Sequence, residues 1–345
     1  MPRTSAISNV INRGGLYYDE VMKENVSVYT RQGQDEQKSG CRQLTTSQIY
    51  QPVVEPASAW HDIRSIRYHV YEWGNPGCPL LVLLHGWGDC GASFQFLVDE
   101  LTGDWFVIAP DWRGFGETRL RSQAYWFPDY VADLDALLRI YQPDEPVNLL
   151  GHSMGANAAG LYAGIFPERV RRFVNVEGFG LADSEPGNAP DNYRRWIEAA
   201  RDMPAYRSYP VPEDLAERIR RRSPSMSRAQ AQFVAEHWSE LDETGAVALR
   251  ADPAHKLPNA VQYRRAEAEA CWDRVTAPVL LVVGENTDFK AAMKDWIDPD
   301  ESRHPFHGAP TAVVPGAGHM VHFERPDELA KVTESFLRDE PGPLV

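Results

Sequence analysis

From about residue 60 onward, short apolar runs alternate with stretches whose apolar residues recur at helical spacing. Ile66, Tyr68 and Val70 alternate with polar or amphipathic residues, which predicts a strand over 63–73, antiparallel and at a sheet edge. Leu80-Leu81-Val82-Leu83-Leu84 is a continuous apolar run, the pattern of a strand buried on both faces. Further strands are predicted over 105–109, 147–150, 173–176, 278–284 and 311–314. Between them, Phe94, Leu97, Val98 and Leu101 share one face of a helix over 93–101. A helix over 129–141 starts beside Pro128 and carries Val131, Leu134, Leu137 and Leu138 as its apolar stripe. Two more helices are predicted over about 289–297 and 326–338. Buried strands alternating with helices give an α/β fold, with a mostly parallel central sheet covered by helices on both faces.

The alternation stops between about 181 and 272, where the chain turns charged, aromatic and helical. Helices are predicted over 193–203, 213–222 and 227–241, the last opened by Ser227 and Gln230 at capping-box spacing. This segment reads as a helical cap, or lid, inserted after the sixth strand of a core made from 57–180 and 273–345. Residues 1–56 read as a disordered extension, since the stretch over 31–43 is polar apart from Cys41 and has no strand or helix period. Arg218, Arg220, Arg221 and Arg222 in the cap read as a solvated helix face.

Composition narrows the function classes. The chain has 345 residues and a formal net charge of −14. That acidic balance argues against nucleic-acid binding. Cys41, Cys78, Cys90 and Cys271 have no metal-site spacing and read as reduced thiols, as in the cytosol. No apolar run approaches a membrane span and no signal-type apolar core opens the sequence, so a cytoplasmic protein without a membrane partner is expected. No metal or organic cofactor is implied, because no His/Cys/Asp set has ligand spacing and no phosphate-binding glycine loop follows a first strand.

The chemistry gathers at Gly151-His152-Ser153-Met154-Gly155, which follows an apolar strand and opens a Gly/Ala-rich segment. This is a G-x-S-x-G nucleophile elbow in its strand–turn–helix context, with Ser153 as nucleophile. Its hydroxyl needs a base. His319, in Pro315-Gly316-Ala317-Gly318-His319 after the last strand, is the best placed; His322, His304 and His307 are alternatives. His152 points away from its neighbour on such a turn, and His85 braces its own loop. Asp89 and Asp111 are read as loop-holding groups. The base in turn needs a carboxylate. Asp288, after the strand over 278–284, gives the chain order Ser, Asp, His and is favoured; Glu177, after the strand over 173–176, is the alternative on the same sheet edge. The backbone N–H groups of Met154 and of Trp87, which follows His85-Gly86, are the expected oxyanion donors.

Taken in order, His85-Gly86-Trp87-Gly88, Asp111-Trp112-Arg113-Gly114-Phe115-Gly116, Gly151-His152-Ser153-Met154-Gly155 and Gly316-Ala317-Gly318-His319 resemble the α/β-hydrolase fold family over about residues 60–340. The resemblance implies Ser153 as nucleophile, His319 as base and Trp87 and Met154 as oxyanion donors. In many members the acid lies three residues after the glycine of the seventh strand. Thr287 stands there in this chain, with Asp288 one residue further on. Some members place the acid after the sixth strand, where Glu177 stands. The aspartate nucleophile of the family's haloalkane dehalogenases and epoxide hydrolases is replaced here by serine, which argues against both chemistries.

The expected activity is therefore that of a cofactor-independent serine hydrolase acting on a carboxylic ester, or a related acyl compound, of a small hydrophobic molecule. Tyr193, Trp196, Phe233 and Trp238 of the cap read equally as substrate pocket or as cap core. Carbon–carbon hydrolysis of the meta-cleavage type, perhydrolysis and acyl transfer are alternatives on the same residues. A non-catalytic small-molecule binder is a third reading.

Overall fold

A computed structural model describes residues 49–289, 306 and 308–339. The chain opens with β1 (Ala57–Ile63), β2 (Ile66–Trp73), β3 (Leu80–Leu84), α1 (Gln95–Glu100), β4 (Phe106–Pro110), α2 (Phe127–Tyr141), β5 (Val147–His152), α3 (Met154–Ile165) and β6 (Val170–Val176). The insertion then supplies α4 (Ala189–Arg201), α5 (Pro212–Arg222), α6 (Arg228–Trp238), β7 (Ser239–Leu241), β8 (Val247–Leu249) and α7 (Arg265–Trp272). The chain returns through β9 (Val279–Gly284), β10 (Thr311–Val314), α8 (Val321–Glu324) and α9 (Pro326–Leu337).

Among the described residues, eight strands form one sheet in the order β1-β2-β4-β3-β5-β6-β9-β10. The pairings of β2 with β1 and β4 are antiparallel, and those from β4 through β3, β5, β6 and β9 to β10 are parallel. Parallel strands with crossover helices are buried on both faces, which explains their unbroken apolar runs. Within β3, Leu80, Val82 and Leu84 join the core beneath α2 and α3, while Leu81 and Leu83 join the core beneath α1 and α9. Each such side chain, fully buried, contributes about 1.5–3 kcal/mol. The helix after the elbow comes close to its neighbours because it is built from small residues. A Cβ on Gly164 would lie 1.8 Å from the carbonyl oxygen of Cys271 on α7.

Three local expectations change. The strand expected over 63–73 is two strands, joined by a turn at Arg64 and Ser65 with φ of 46° and 67°, so β1 takes the sheet edge. β1 lacks a sequence signal because all but its last residue are exposed or half-buried. In the 181–272 segment, Ser227 and Gln230 form the expected capping box, but α6 ends at Trp238 and the chain enters the β7–β8 ribbon instead of continuing to 241. Finally, Ile49 to Pro56, which the sequence assigns to the extension, are held in place. The Tyr50 hydroxyl donates to Asp99 (2.8 Å), its N–H donates to the Ala229 carbonyl (3.1 Å), and its ring lies edge-on to Phe96 and Phe233.

Residues 1–48 and the helix expected over 289–297, beyond Phe289, lie outside the described residues. Among the described residues no helix is long and apolar enough to cross a membrane.

Candidate active site

The serine sits where β5 ends and α3 begins, with φ of 51° and ψ of −113°. A non-glycine residue in that region carries strain of about 1–3 kcal/mol, which the surrounding structure must outweigh. Both flanking glycines are required by contact. A Cβ on Gly151 would fall 2.5 Å from the Ala156 nitrogen, and one on Gly155 would fall 2.1 Å from the Leu84 carbonyl oxygen at the end of β3. The Ser153 N–H donates to the Val176 carbonyl (2.8 Å), so the turn is tied to the last residue of β6. The turn leaves Ser153 half-buried between two buried neighbours, His152 and Met154.

One residue beyond that bond, Glu177 also takes a positive φ, 56°. It is 2% exposed, and its carboxylate is fully engaged. Oε1 accepts from the Gly284 N–H at the end of β9 (2.7 Å). Oε2 accepts from the Thr287 hydroxyl (2.8 Å) and lies 3.1 Å from Nδ1 of His319. A carboxylate oxygen accepts, so Nδ1 carries the proton and Nε2 is left as the lone pair a base requires.

This geometry corrects the favoured acid. The carboxylate on His319 Nδ1 is Glu177, not Asp288; Asp288 is exposed on the loop after β9. The physical reason lies in the turn at Thr287. At the position three residues after Gly284 the side chain points inward, is 3% exposed and bonds Glu177; the next residue, Asp288, faces solvent. Glu177 reaches the histidine from the neighbouring strand instead. The inward threonine was the signal available in the sequence, since a hydroxyl rather than a carboxylate occupies the family's usual acid position.

His319 follows β10 on a loop laid across the end of β9. A Cβ on Gly284 would fall 2.2 Å from the Gly318 carbonyl oxygen. The Asn286 N–H donates to the Ala317 carbonyl (2.8 Å), and the Gly316 N–H to Glu285 (2.9 Å). The His319 ring is 4.7 Å from that of Phe289 and 4.8 Å from that of His152. Of the alternative bases, His322 is fully buried and bonded to Asp89 (3.1 Å), while His304 and His307 lie outside the described residues.

Of the two residues expected as oxyanion donors, Met154 directly follows the serine and Trp87 lies on the turn after β3. Met154 is the first residue of α3, where an N–H has no acceptor within its own helix. The turn after β3 runs against Ser153, since a Cβ on Gly86 would be 3.3 Å from the Ser153 Cβ. Trp87 comes next and stands edge-on to Phe115, 6.4 Å between ring centroids. His85 braces this turn as expected: its Nδ1 faces the Gly86 carbonyl (2.8 Å), and its Nε2 accepts from the Trp112 N–H (2.9 Å). Burial lowers the His85 pKa and keeps the ring neutral.

Beneath the elbow lies a group no sequence spacing reveals. Asp89, His152 and His322 are buried, and one donor atom of each lies within 4.8 Å of the others. Two imidazoles and a carboxylate could ligate a transition metal, but hydrogen bonds already account for the carboxylate. Asp89 Oδ1 accepts from the Cys90 N–H (2.8 Å) and the Trp238 indole (2.9 Å), and Oδ2 from His322. Burial by itself would raise the Asp89 pKa; the hydrogen bond from His322, with that from the Cys90 N–H, outweighs it and holds the group below the usual carboxylate value.

The four aromatics of the 181–272 segment separate: Phe233 is buried in a cluster with Phe96 of α1 and Phe323 of α8, the Trp238 indole donates to Asp89, Trp196 is half-buried and Tyr193 is exposed.

A family model described as the alpha/beta hydrolase fold matches residues 79–326. A serine hydrolase-like protein of Danio rerio is 28% identical over 290 residues, covering 78% of this chain and 84% of the relative. The 2-(acetamidomethylene)succinate hydrolase of Mesorhizobium japonicum is 26% identical over 281 residues, covering 80% of this chain and 93% of the relative. Among solved structures, the hypothetical protein PA1622 of Pseudomonas aeruginosa superposes with a TM-score of 0.70 at 26% identity, over 81% of this chain and 99% of that one.

Proposed function

The chain belongs to the α/β-hydrolase fold family, and on that footing we propose that it is a serine hydrolase cleaving a carboxylic ester of a small hydrophobic molecule through an acyl-enzyme on Ser153. The observation that carries this reading is the Glu177–His319 hydrogen bond at the same sheet edge as a serine held in strained backbone.

In this reading Ser153 Oγ attacks the acyl carbon and its proton passes to His319 Nε2. Glu177 holds Nδ1–H and stabilises the imidazolium. The Met154 and Trp87 N–H groups receive the oxyanion. Collapse of the tetrahedral intermediate breaks the bond to the leaving oxygen, which takes the proton from His319. Water, deprotonated by the same imidazole, then attacks the acyl-enzyme, and the acid product leaves with Ser153 Oγ reprotonated.

The family and its serine hydrolase-like relatives support a hydrolase. A relative named for 2-(acetamidomethylene)succinate favours a second reading, in which the same serine hydrolyses a bond other than an oxygen ester. The test is turnover of a p-nitrophenyl ester series from acetate to decanoate, together with labelling by a fluorophosphonate probe. Turnover and labelling in the wild type, both absent in Ser153→Ala, are expected. Labelling without ester turnover would shift the assignment to the second reading. Absence of labelling would remove the hydrolase reading altogether.

A further inference from the structure

His152, the residue before the serine, turns its side chain under the loop that carries the base. Its Nε2 lies 2.9 Å from the main-chain carbonyl oxygen of His319. That oxygen can only accept, so Nε2 carries the proton and Nδ1 is a bare lone pair. Nδ1 is buried and has no hydrogen-bond partner among the described residues. An interior acceptor left unpaired costs about 1–3 kcal/mol. An apolar side chain would avoid that cost, so packing alone does not explain an imidazole at this position; the donor on its other nitrogen does.

The ring is fixed in this attitude. Gly86 lies against it so closely that a Cβ there would be 2.9 Å from Nδ1. On another side the His322 ring stands 4.5 Å away between centroids. His322 is held by Asp89, and Asp89 by the Trp238 indole of the cap. Burial, and after it His322 and His319, push the His152 pKa well below the ordinary histidine range, so the ring remains neutral.

Resting on the hydrolase reading above, we propose that His152 is a positioning residue for the base: its Nε2–H holds the His319 carbonyl and thereby the backbone from which the catalytic imidazole hangs. Glu177 fixes the ring at Nδ1; His152 fixes the chain behind it. Two points of attachment define the direction of Nε2 towards Ser153, where one would leave the ring free to swing about the Glu177 bond. A misplacement of about 1 Å at a reacting group can cost on the order of a hundredfold in rate.

The test compares His152→Gln with His152→Asn. The Gln amide nitrogen reaches the place of Nε2, whereas the shorter Asn amide reaches only the place of Nδ1. Both variants keep a polar, planar side chain, and urea unfolding checks that each folds. The expected result is a kcat within about threefold of wild type for Gln, a fall of about tenfold or more for Asn, and KM unchanged in both. A merely structural role would move both variants alike, so equal kcat values in Gln and Asn would overturn the proposal. A second readout does not depend on turnover: the downfield proton resonance of His319 Nδ1–H against Glu177. It is expected to persist in wild type and Gln and to broaden or vanish in Asn. If the wild type neither turns over esters nor labels, the hydrolase reading fails, while this resonance still decides whether His152 holds the base loop. A resonance identical in all three proteins overturns the proposal.

Discussion

Oε2 of Glu177 lies 3.1 Å from Nδ1 of His319 and 2.8 Å from the hydroxyl of Thr287. The oxygen that would stabilise the imidazolium is thus shared with a side chain from the loop after β9. Glu177→Gln removes the charge and can present an amide N–H to Nδ1, which selects the wrong tautomer. Its kcat is expected to fall by about 10²–10⁴-fold with KM little changed. Asp288→Asn, on the exposed neighbour of Thr287, is expected to stay within about twofold. Steady-state kinetics on any turned-over ester decide it, and the reverse ranking would return the acid to Asp288.

The inward set of Thr287 makes a stronger prediction. Its Oγ1 already reaches the oxygen that faces the base, so a carboxylate at 287 is placed to serve Nδ1 itself. Glu177→Gln combined with Thr287→Asp is expected to recover about tenfold or more of the rate lost in Glu177→Gln alone. In the wild-type background Thr287→Asp sets two carboxylates against each other and is expected to destabilise the fold by about 1–3 kcal/mol. A double variant as slow as Glu177→Gln would mean that the strand ends do not exchange roles.

The elbow stores strain that can be measured. Ser153 has φ of 51° and ψ of −113°, conformations open to glycine and costly to other residues. Ser153→Gly and Ser153→Ala are both expected to abolish labelling. They should differ in stability, with Gly the more stable by about 1 kcal/mol or more in urea unfolding. Equal stabilities would imply that contacts around the Cβ offset the backbone term.

Acid lability is written into a second buried histidine. His255 is stacked between Phe115 and Tyr125, 3.8 and 3.5 Å from their ring centroids, with Nε2 facing the Arg113 carbonyl. Burial lowers its pKa to about 3, the Arg113 carbonyl and Asp252 offsetting this only in part. The folded value lies below the unfolded one of about 6.5, so its contribution is complete above about pH 6.5 and is lost as pH falls towards about 3. Between about pH 7 and pH 5 the wild type should lose about 2 kcal/mol more than His255→Phe. Parallel losses in the two proteins, measured by urea unfolding, would remove His255 as the cause.

What could be read before the structure, and what could not, divides along physical lines. The parallel strands announce themselves because burial on both faces leaves continuous apolar runs, as in Leu80 to Leu84. The elbow is legible because contact demands Gly151 and Gly155. β1 was hidden, since an exposed edge strand needs no apolar period. The β7–β8 ribbon was hidden because two strands of three residues each carry too little pattern. The sequence does not say which of two carboxylates on the same sheet edge meets the His319 ring. Local sequence brings both there, and only the backbone at Glu177 and the inward turn at Thr287 separate them. The His152 bond joins residues far apart in the chain, and nothing in either segment alone announces it.

The three groups of the site do not rest on equally firm ground. Ser153 and Glu177 follow β5 and β6, which have partners on both sides, whereas His319 follows β10, four residues long and, among the described residues, paired with β9 alone. An edge strand opens at lower free energy than the interior of its sheet. Heat therefore works inward from the carboxyl-terminal end: the imidazole drifts out of line first, while the strand beneath the serine is still intact. Loss of turnover on warming is expected to precede loss of the fold, and a protein cooled in that interval to regain its rate without having to refold.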